Sequence, residues 1–172
     1  MSTAKIRAAR PARPAAPPMP SFETLDHTHR QMLQSLDELA RLINIVGQPG
    51  QDRAAATLAA HLCSFFNDTA RGHHEAEETF VFPNLIQDHN PTLLAHVRRL
   101  QEDHMWLEED WLELEPHLQA VARGYVGEHP EFLRATLPEF AAACREHIAL
   151  EETLVYPEAR RRQAALATAP AA

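Results

Sequence analysis

His73-His74-Glu75-Ala76-Glu77-Glu78-Thr79-Phe80-Val81-Phe82-Pro83 and His147-Ile148-Ala149-Leu150-Glu151-Glu152-Thr153-Leu154-Val155-Tyr156-Pro157 are two copies of one segment. Six of the eleven positions are identical, and two more exchange one bulky apolar residue for another. In each copy a histidine and a glutamate stand four apart, which on a helix puts them on one face, one turn from each other. The repetition continues upstream: His29 precedes His73 by 44 residues, and His104 precedes His147 by 43. The chain therefore reads as two tandem units, each a helix with one histidine followed by a helix with His-x-x-x-Glu. Four histidines and two glutamates facing one interior outline a dinuclear metal site.

Around these segments the apolar pattern has helical period. Phe22, Leu25, His29, Met32, Leu36, Leu39 and Ile43 form the stripe of a first helix from about Ser21, a capping residue, to Val46, ahead of Gly47 and Pro49. His29 lies on that stripe, whereas His27 falls on the polar face with Gln31, Gln34 and Glu38. A second helix is expected from Asp52 to just before Pro83, its stripe running through Leu58, Leu62, Phe65, Phe66 and Thr69 to His73, Glu77 and Phe80. The third opens at Pro91, a favourable first-turn proline, and carries Leu93, Val97, Leu100, His104, Leu107 and Trp111, with a kink expected near Pro116. The fourth begins at Pro130 or Pro138 and ends by Pro157, with Phe140, Cys144, His147, Leu150, Glu151 and Leu154 inward. Four long amphipathic helices joined by Gly/Pro/Asn turns predict an all-α, antiparallel four-helix bundle with an internal pseudo-twofold repeat.

At 172 residues the chain is the size of one domain and buries about two-thirds of its unfolded surface, so a full core is available. Residues 1–20 hold Lys5, Arg7, Arg10 and Arg13, five prolines and no acid, and read as a disordered tail. Residues 21–158 are expected to form the bundle and 159–172 a frayed C-terminal tail. Outside the N-terminal tail the balance is 12 basic against 24 acidic residues, which argues against nucleic acid as a partner. No apolar run approaches the roughly 18 residues of a membrane span. Cys63 and Cys144 lie 81 residues apart without a C-x-x-C pair, which suits two buried thiols in a reducing, cytoplasmic setting.

A lone histidine on an apolar face is more often a hydrogen-bonded core residue than a ligand. Here every helix puts one histidine in its stripe, and two add a glutamate one turn on. Burying Glu77 and Glu151 without cations would cost several kcal/mol each or hold them protonated. Competing motifs fail on spacing: His-Glu-x-x-His is absent, and the residues three before His73, His104 and His147 are Ala70, Gln101 and Cys144, so no Glu-x-x-His occurs there. Mixed imidazole and carboxylate with open positions favours iron or manganese over a closed structural zinc site. Glu108, one turn after His104, is a further candidate ligand, as is His74 at the edge of its stripe. Glu78 and Glu152 are expected to face solvent, and His61, His89, His96, His117 and His129 lack partner spacing. Met105, Trp106 and Trp111 would line a gas-access pocket or simply pack. Tyr156 would matter to redox chemistry only if it approached the metal.

The chain resembles the hemerythrin-like (HHE cation-binding) family over residues 21–158. Asp26-His27-Thr28-His29-Arg30 is similar to the family's first-helix segment, in which a basic residue follows the ligand histidine, and this selects His29 over His27. The other matching positions are His73 with Glu77, His104, and His147 with Glu151. The resemblance implies two non-haem irons with oxo or hydroxo bridging, one held by a pair such as His29 and His73 and the other by His104 and His147. Glu77 and Glu151 would bridge them. Oxygen-carrying members have His-x-x-x-His on the third helix, where this chain has Glu108, and a carboxylate five after the fourth-helix histidine, where this chain has Glu151 at four. The six-ligand set is more similar to bacterial iron–sulfur-cluster repair proteins, whose cysteine-containing N-terminal domain has no counterpart in residues 1–20. The expected function is binding of, or reaction with, nitric oxide, oxygen or hydrogen peroxide, with an electron donor or a regulatory protein as partner. An iron-sensing or oxygen-binding module without turnover is the alternative.

Overall fold

Capping side chains, prolines and glycines divide the chain into four rods. The computed structural model describes residues 20–87, 90–125 and 130–168 and packs these rods as an all-α four-helix bundle. α1 (Phe22–Ile45) starts where the Ser21 hydroxyl accepts the Thr24 amide at 3.2 Å. It is followed by Gly47 at φ 75°, a conformation that glycine enters without a Cβ clash. The second rod comprises α2 (Asp52–Ser64), a π-helical stretch (Phe65–Ala70), α3 (Arg71–Ala76), a second π-helical stretch (Glu77–Val81) and α4 (Phe82–Ile86). α5 (Pro91–Ala122) is capped by Asn90, whose side chain accepts the Thr92 and Leu93 amides at 3.1 and 3.2 Å. The fourth rod is α6 (Pro130–Leu150), a π-helical stretch (Glu151–Val155) and α7 (Tyr156–Thr168). α1 and α5 each pack against both α2 and α6, which closes the ring of four.

The interior is two apolar cores with a polar layer between them. The larger core gathers Leu36, Leu39, Leu42, Leu62, Phe66, Leu114, Leu118, Leu137 and Phe140, among others. The smaller holds Phe22, Leu25, Val81, Phe82, Leu85, Val97, Leu100, Val155 and Tyr156. Between them lie His29, His73, Glu77, His104, His147 and Glu151, all buried. On α1, the second rod and α5 the buried histidine separates residues of one core from residues of the other, and on the fourth rod the change comes just after Ile148, which follows His147 and still belongs to the larger core.

Several boundaries differ from expectation for one reason. The second helix does not stop before Pro83, nor the fourth at Pro157; both prolines sit at the start of a further helical segment, just after a π-helical stretch. A π turn bonds i to i+5, so the residue that returns to the inner face after Glu77 is Phe82, and after Glu151 it is Tyr156. Val81, Phe82, Val155 and Tyr156 are therefore buried, whereas Phe80 is half-buried and Leu154 is 46% exposed. α6 starts at Pro130 and runs through Pro138, and α5 runs through Pro116 as one helix. The segment expected to fray after 158 is helical to Thr168. Ala159 is buried against the smaller core, the Arg160 guanidinium covers the Phe22 ring at 5.1 Å and pairs with Asp26, and Arg162 donates to the Asn84 carbonyl at 3.0 Å. The tail expected over 1–20 lies, apart from Pro20, outside the described residues, as do His89 and His129.

Candidate metal centre

α1, the second rod, α5 and α6 each project one histidine into the polar layer, and the two π-helical stretches begin at the two glutamates. The donor atoms form two groups of four within which all atoms lie inside 4.8 Å of one another. One is His29, His73, Glu77 and Glu151; the other is Glu77, His104, His147 and Glu151. Both glutamates belong to both groups. The Glu151 carboxylate spans them, with Oε2 at 3.1 Å from His29 Nε2 and Oε1 at 3.1 Å from His147 Nε2. Glu77 Oε2 lies 3.4 Å from His73 Nε2 and 3.5 Å from His104 Nε2.

The arrangement is poorly satisfied by protein atoms alone, and this tests whether cations fit. His73 Nδ1 and Nε2, Glu77 Oε2, His147 Nδ1 and both Glu151 oxygens are buried without a hydrogen-bond partner. His104 Nε2 and His147 Nε2 face each other at 3.1 Å. Two imidazole nitrogens aimed at one point and two carboxylates with unused lone pairs are a donor set that a divalent or trivalent ion satisfies. The residues present fit two such ions.

Electrostatics say the same of the ion-free layer. Burial disfavours charge on His104 and His147, yet the Glu151 and Glu77 carboxylates beside His104 and the Glu151 carboxylate beside His147 outweigh it, raising them to about 10 and about 9. Burial and neighbouring imidazoles push His73 down to about 3. Burial and the Glu151 charge raise Glu77 to about 7, and Glu151 is held well below the usual carboxylate range by His147, His104 and His29 despite its burial.

Outer contacts orient the donors. His29 Nδ1 lies 3.1 Å from Glu152 Oε1, and His104 Nδ1 lies 3.0 Å from Glu78 Oε1. These glutamates were expected to face solvent. They are partly exposed, but each crosses to the histidine of the other tandem unit, the role carboxylates take behind metal-bound imidazoles. The repeated Glu-Glu-Thr was the sequence signal for this pair. Phe82 stacks on His104 at 5.5 Å, and at the equivalent place Tyr156 stacks on His29 at 5.1 Å. The Tyr156 hydroxyl donates to Glu77 Oε1 and also approaches His29 Nε2 at 3.4 Å. The phenol does reach the centre.

The remaining candidates separate. His74 is partly buried, stacks on His104 at 4.2 Å, and forms a third donor group with His104 and His147. Glu108 is not brought in: its side chain is 49% exposed and pairs with Arg71 at 3.2 Å. The buried stripe of α5 runs His104, Leu107, Trp111, so a step of four from His104 rotates off it. His27 is exposed, His61 pairs with Glu38 at 3.4 Å, and His117 packs on Phe132. Trp111 is buried and donates to Asn67 at 2.7 Å, whereas Met105 and Trp106 are exposed.

A four-helix bundle with two carboxylate-sharing imidazole clusters between its apolar cores defines a class of cation-binding bundle proteins. The chain belongs to the hemerythrin family: the Hemerythrin HHE cation binding domain matches residues 21–159. It is also similar to an uncharacterized protein of Haemophilus influenzae, 30% identical over 106 residues, which are 61% of this chain and 59% of that protein. The chain thus spans less than two-thirds of that relative's length. No solved structure matches the chain significantly. Among the described residues no helix is long and apolar enough to cross a membrane.

Proposed function

We propose that this chain is a non-haem diiron protein that reacts with a small diatomic or peroxide. The observation that carries the reading is the pair of donor clusters sharing Glu77 and Glu151, with buried donor atoms that have no hydrogen-bond partner. His29 and His73 would hold one iron, His104 and His147 the other, and the two glutamates would bridge. Bound iron would supply reversible redox change and open positions for a diatomic or peroxide. His74 stands ready at the His104 and His147 cluster as a further nitrogen donor.

The chain's own residues make the two ends unequal. The His74, His104 and His147 end faces a cavity, whereas His29, His73, Glu77 and Glu151 do not line it. At the closed end the Tyr156 hydroxyl donates to Glu77 Oε1, a phenol contact for which Glu151 has no counterpart, Phe82 standing at the equivalent position. Small ligands therefore approach from the His104 and His147 side. Cys63 and Cys144 are buried and unpaired, and burial lifts their thiols to about 11 and about 12, which keeps them inert and suits a cytoplasmic setting.

A second reading, in which metal occupancy is sensed by a partner protein, is favoured by one feature. Met105, Trp106 and Leu112 are all more than half exposed on α5. The two readings part in stopped-flow spectroscopy of the iron-loaded, reduced protein mixed separately with oxygen, nitric oxide and hydrogen peroxide. Multiple-turnover consumption of nitric oxide or peroxide supports the enzyme. Reversible oxygen release under vacuum makes it a carrier, and no reaction with any of the three leaves the sensing reading. Metal analysis of protein from iron-replete cells should give about two irons per chain; one zinc and no iron would overturn both.

A further inference from the structure

The cavity at the open end is far larger than a diatomic needs. It has a volume of about 800 Å³ and lies between the second rod and α5, reaching α1 and α6 at its floor. A water-sized molecule occupies roughly 30 Å³, whereas sites for organic ligands run to about 300–1,000 Å³ and are lined by apolar and aromatic side chains with a few polar groups. The floor here is Leu36, Phe66, Leu107, Trp111, Phe140 and Ile148, all buried, and the inner end is the imidazoles of His74, His104 and His147. The wall is rigid: Phe66 packs on Trp111 at 4.7 Å and on Phe140 at 5.4 Å, and Trp111 is fixed by its bond to Asn67.

Polar side chains ring the mouth and tie the second rod to α5 without closing the floor. Asn67 donates to Glu115 at 2.6 Å, Arg71 pairs with Glu108 at 3.2 Å, and Gln101 donates to Glu78 at 2.7 Å. Glu75, Glu78, Glu108 and Glu115 face a single guanidinium, Arg71, so the rim is negative. A carboxylate or phosphate entering there meets like charge, and an uncharged or cationic head does not.

We propose that this cavity is a binding chamber for a non-anionic apolar organic molecule, whose body lies on the Leu36/Phe66/Phe140 floor and whose inner end abuts His74. The assignment deepens the diiron reading by naming a co-substrate or effector class for the open end. Occupancy itself depends on the apolar floor and not on iron.

The test uses the full chain carrying Trp106→Phe, which leaves Trp111 as the sole tryptophan and alters only an exposed position. N-phenyl-1-naphthylamine, an uncharged dye, is titrated into the iron-loaded and the metal-free protein. The expected result is a blue-shifted, brightened dye with quenching of Trp111 in both forms, together with a shift of the iron absorption bands in the loaded form. Dodecylamine and dodecanol should displace the dye at least about tenfold more effectively than laurate. Ala70→Phe and Cys144→Phe, which fill the floor, should each weaken dye binding by about tenfold or more while the fold, followed by circular dichroism, is kept. Should one of them misfold, the other and the Trp111 quenching still decide. Absence of dye binding, displacement by laurate as effective as by the amine, or binding unchanged in a folded filled variant would each overturn the proposal. Dye binding by a protein that takes up no iron even on reconstitution would sustain the chamber and remove the diiron reading, so the two fail separately.

Discussion

The two tandem units place His, Glu-Glu-Thr, Val and Pro at the same positions, and of the five aligned positions at which the two segments differ, two bear on the polar layer. Phe82 covers His104 and Tyr156 covers His29, rings stacked in both cases, but only the tyrosine brings a hydroxyl, and that hydroxyl is bonded to Glu77. His74 lies beside His73 where the other unit has Ile148 beside His147. One end of the polar layer is thus sealed and supplied with a donor, and the other opens on the cavity with a spare imidazole. The repeat builds the frame, and the differences at 74/148 and 82/156 give it a direction.

Equivalence of the two units is tested most severely by removing a ligand from each. His73→Ala and His147→Ala should each lower iron from about two per chain to about one or fewer. Both should also melt well below wild type, approaching the metal-free protein, since a tightly bound ion adds about 3–4 kcal/mol at saturating concentrations. Metal analysis beside calorimetry reads both. Full iron retention in His73→Ala alone would show that the sealed end is not a site.

Next in size are the outer carboxylates. Glu78→Ala and Glu152→Ala should each weaken metal affinity by about 10–100-fold, and to a similar degree, because each orients one histidine through Nδ1. Competition with a chelator measures it. An effect confined to one of them would break the symmetry at its outer shell.

The metal-free protein carries a pH signature that the loaded protein should lack. His104 and His147 have folded values raised to about 10 and about 9, above the ordinary 6.5, so their stabilisation is complete below about pH 6.5 and is lost as pH rises through 9 to 10. Glu77, raised to about 7, acts in the same sense from pH 4.5 through 7. The metal-free melting temperature should therefore fall between pH 6.5 and 10, whereas iron-loaded protein, with no protons left on these donors, should hold. A rise in the metal-free protein over that range would contradict the layer as described.

Smallest is the single hydroxyl. Tyr156→Phe makes the two stacked rings alike and leaves Glu77 Oε1 without its donor, a loss of about 1–3 kcal/mol in the metal-free protein. Iron content should be kept, with a shift in the absorption of the loaded centre. The reciprocal Phe82→Tyr should leave Glu77 untouched. If Tyr156→Phe altered neither stability nor spectrum, the asymmetry would rest on His74 alone.

The bundle and its six inner donors were legible because repetition is a global signal: spacings of 44 and 43 survive any local ambiguity. What was missed is local backbone geometry. Nothing in Glu77–Val81 favours a π turn over an α turn by propensity, so α-helical period points Phe80 and Leu154 inward and Phe82 and Tyr156 outward. The same shift kept the tyrosine hydroxyl's contact out of reach of spacing arguments. Glu78 and Glu152 were readable in principle, since solvated glutamates have no reason to recur in register. A step of four suggests that Glu108 shares the face of His104, but the buried stripe of α5 advances from His104 by three and then four, which turns Glu108 outward. The cavity depends on how far two rods stand apart, which no single helix encodes.

The polar layer also divides the interior, and that division has a consequence for how the molecule breathes. Without ions, the layer is a polar seam, with several buried donor atoms left without a hydrogen-bond partner, between Phe22, Leu25, Val81, Phe82, Leu85, Val97, Leu100, Val155 and Tyr156 on one side and the larger core on the other. The smaller side can then open as its own cooperative unit, and amide hydrogens there should exchange ahead of those around Leu39, Leu62, Leu118 and Leu137. Ions binding all four rods at once would weld the seam, so that both sides exchange only through global opening.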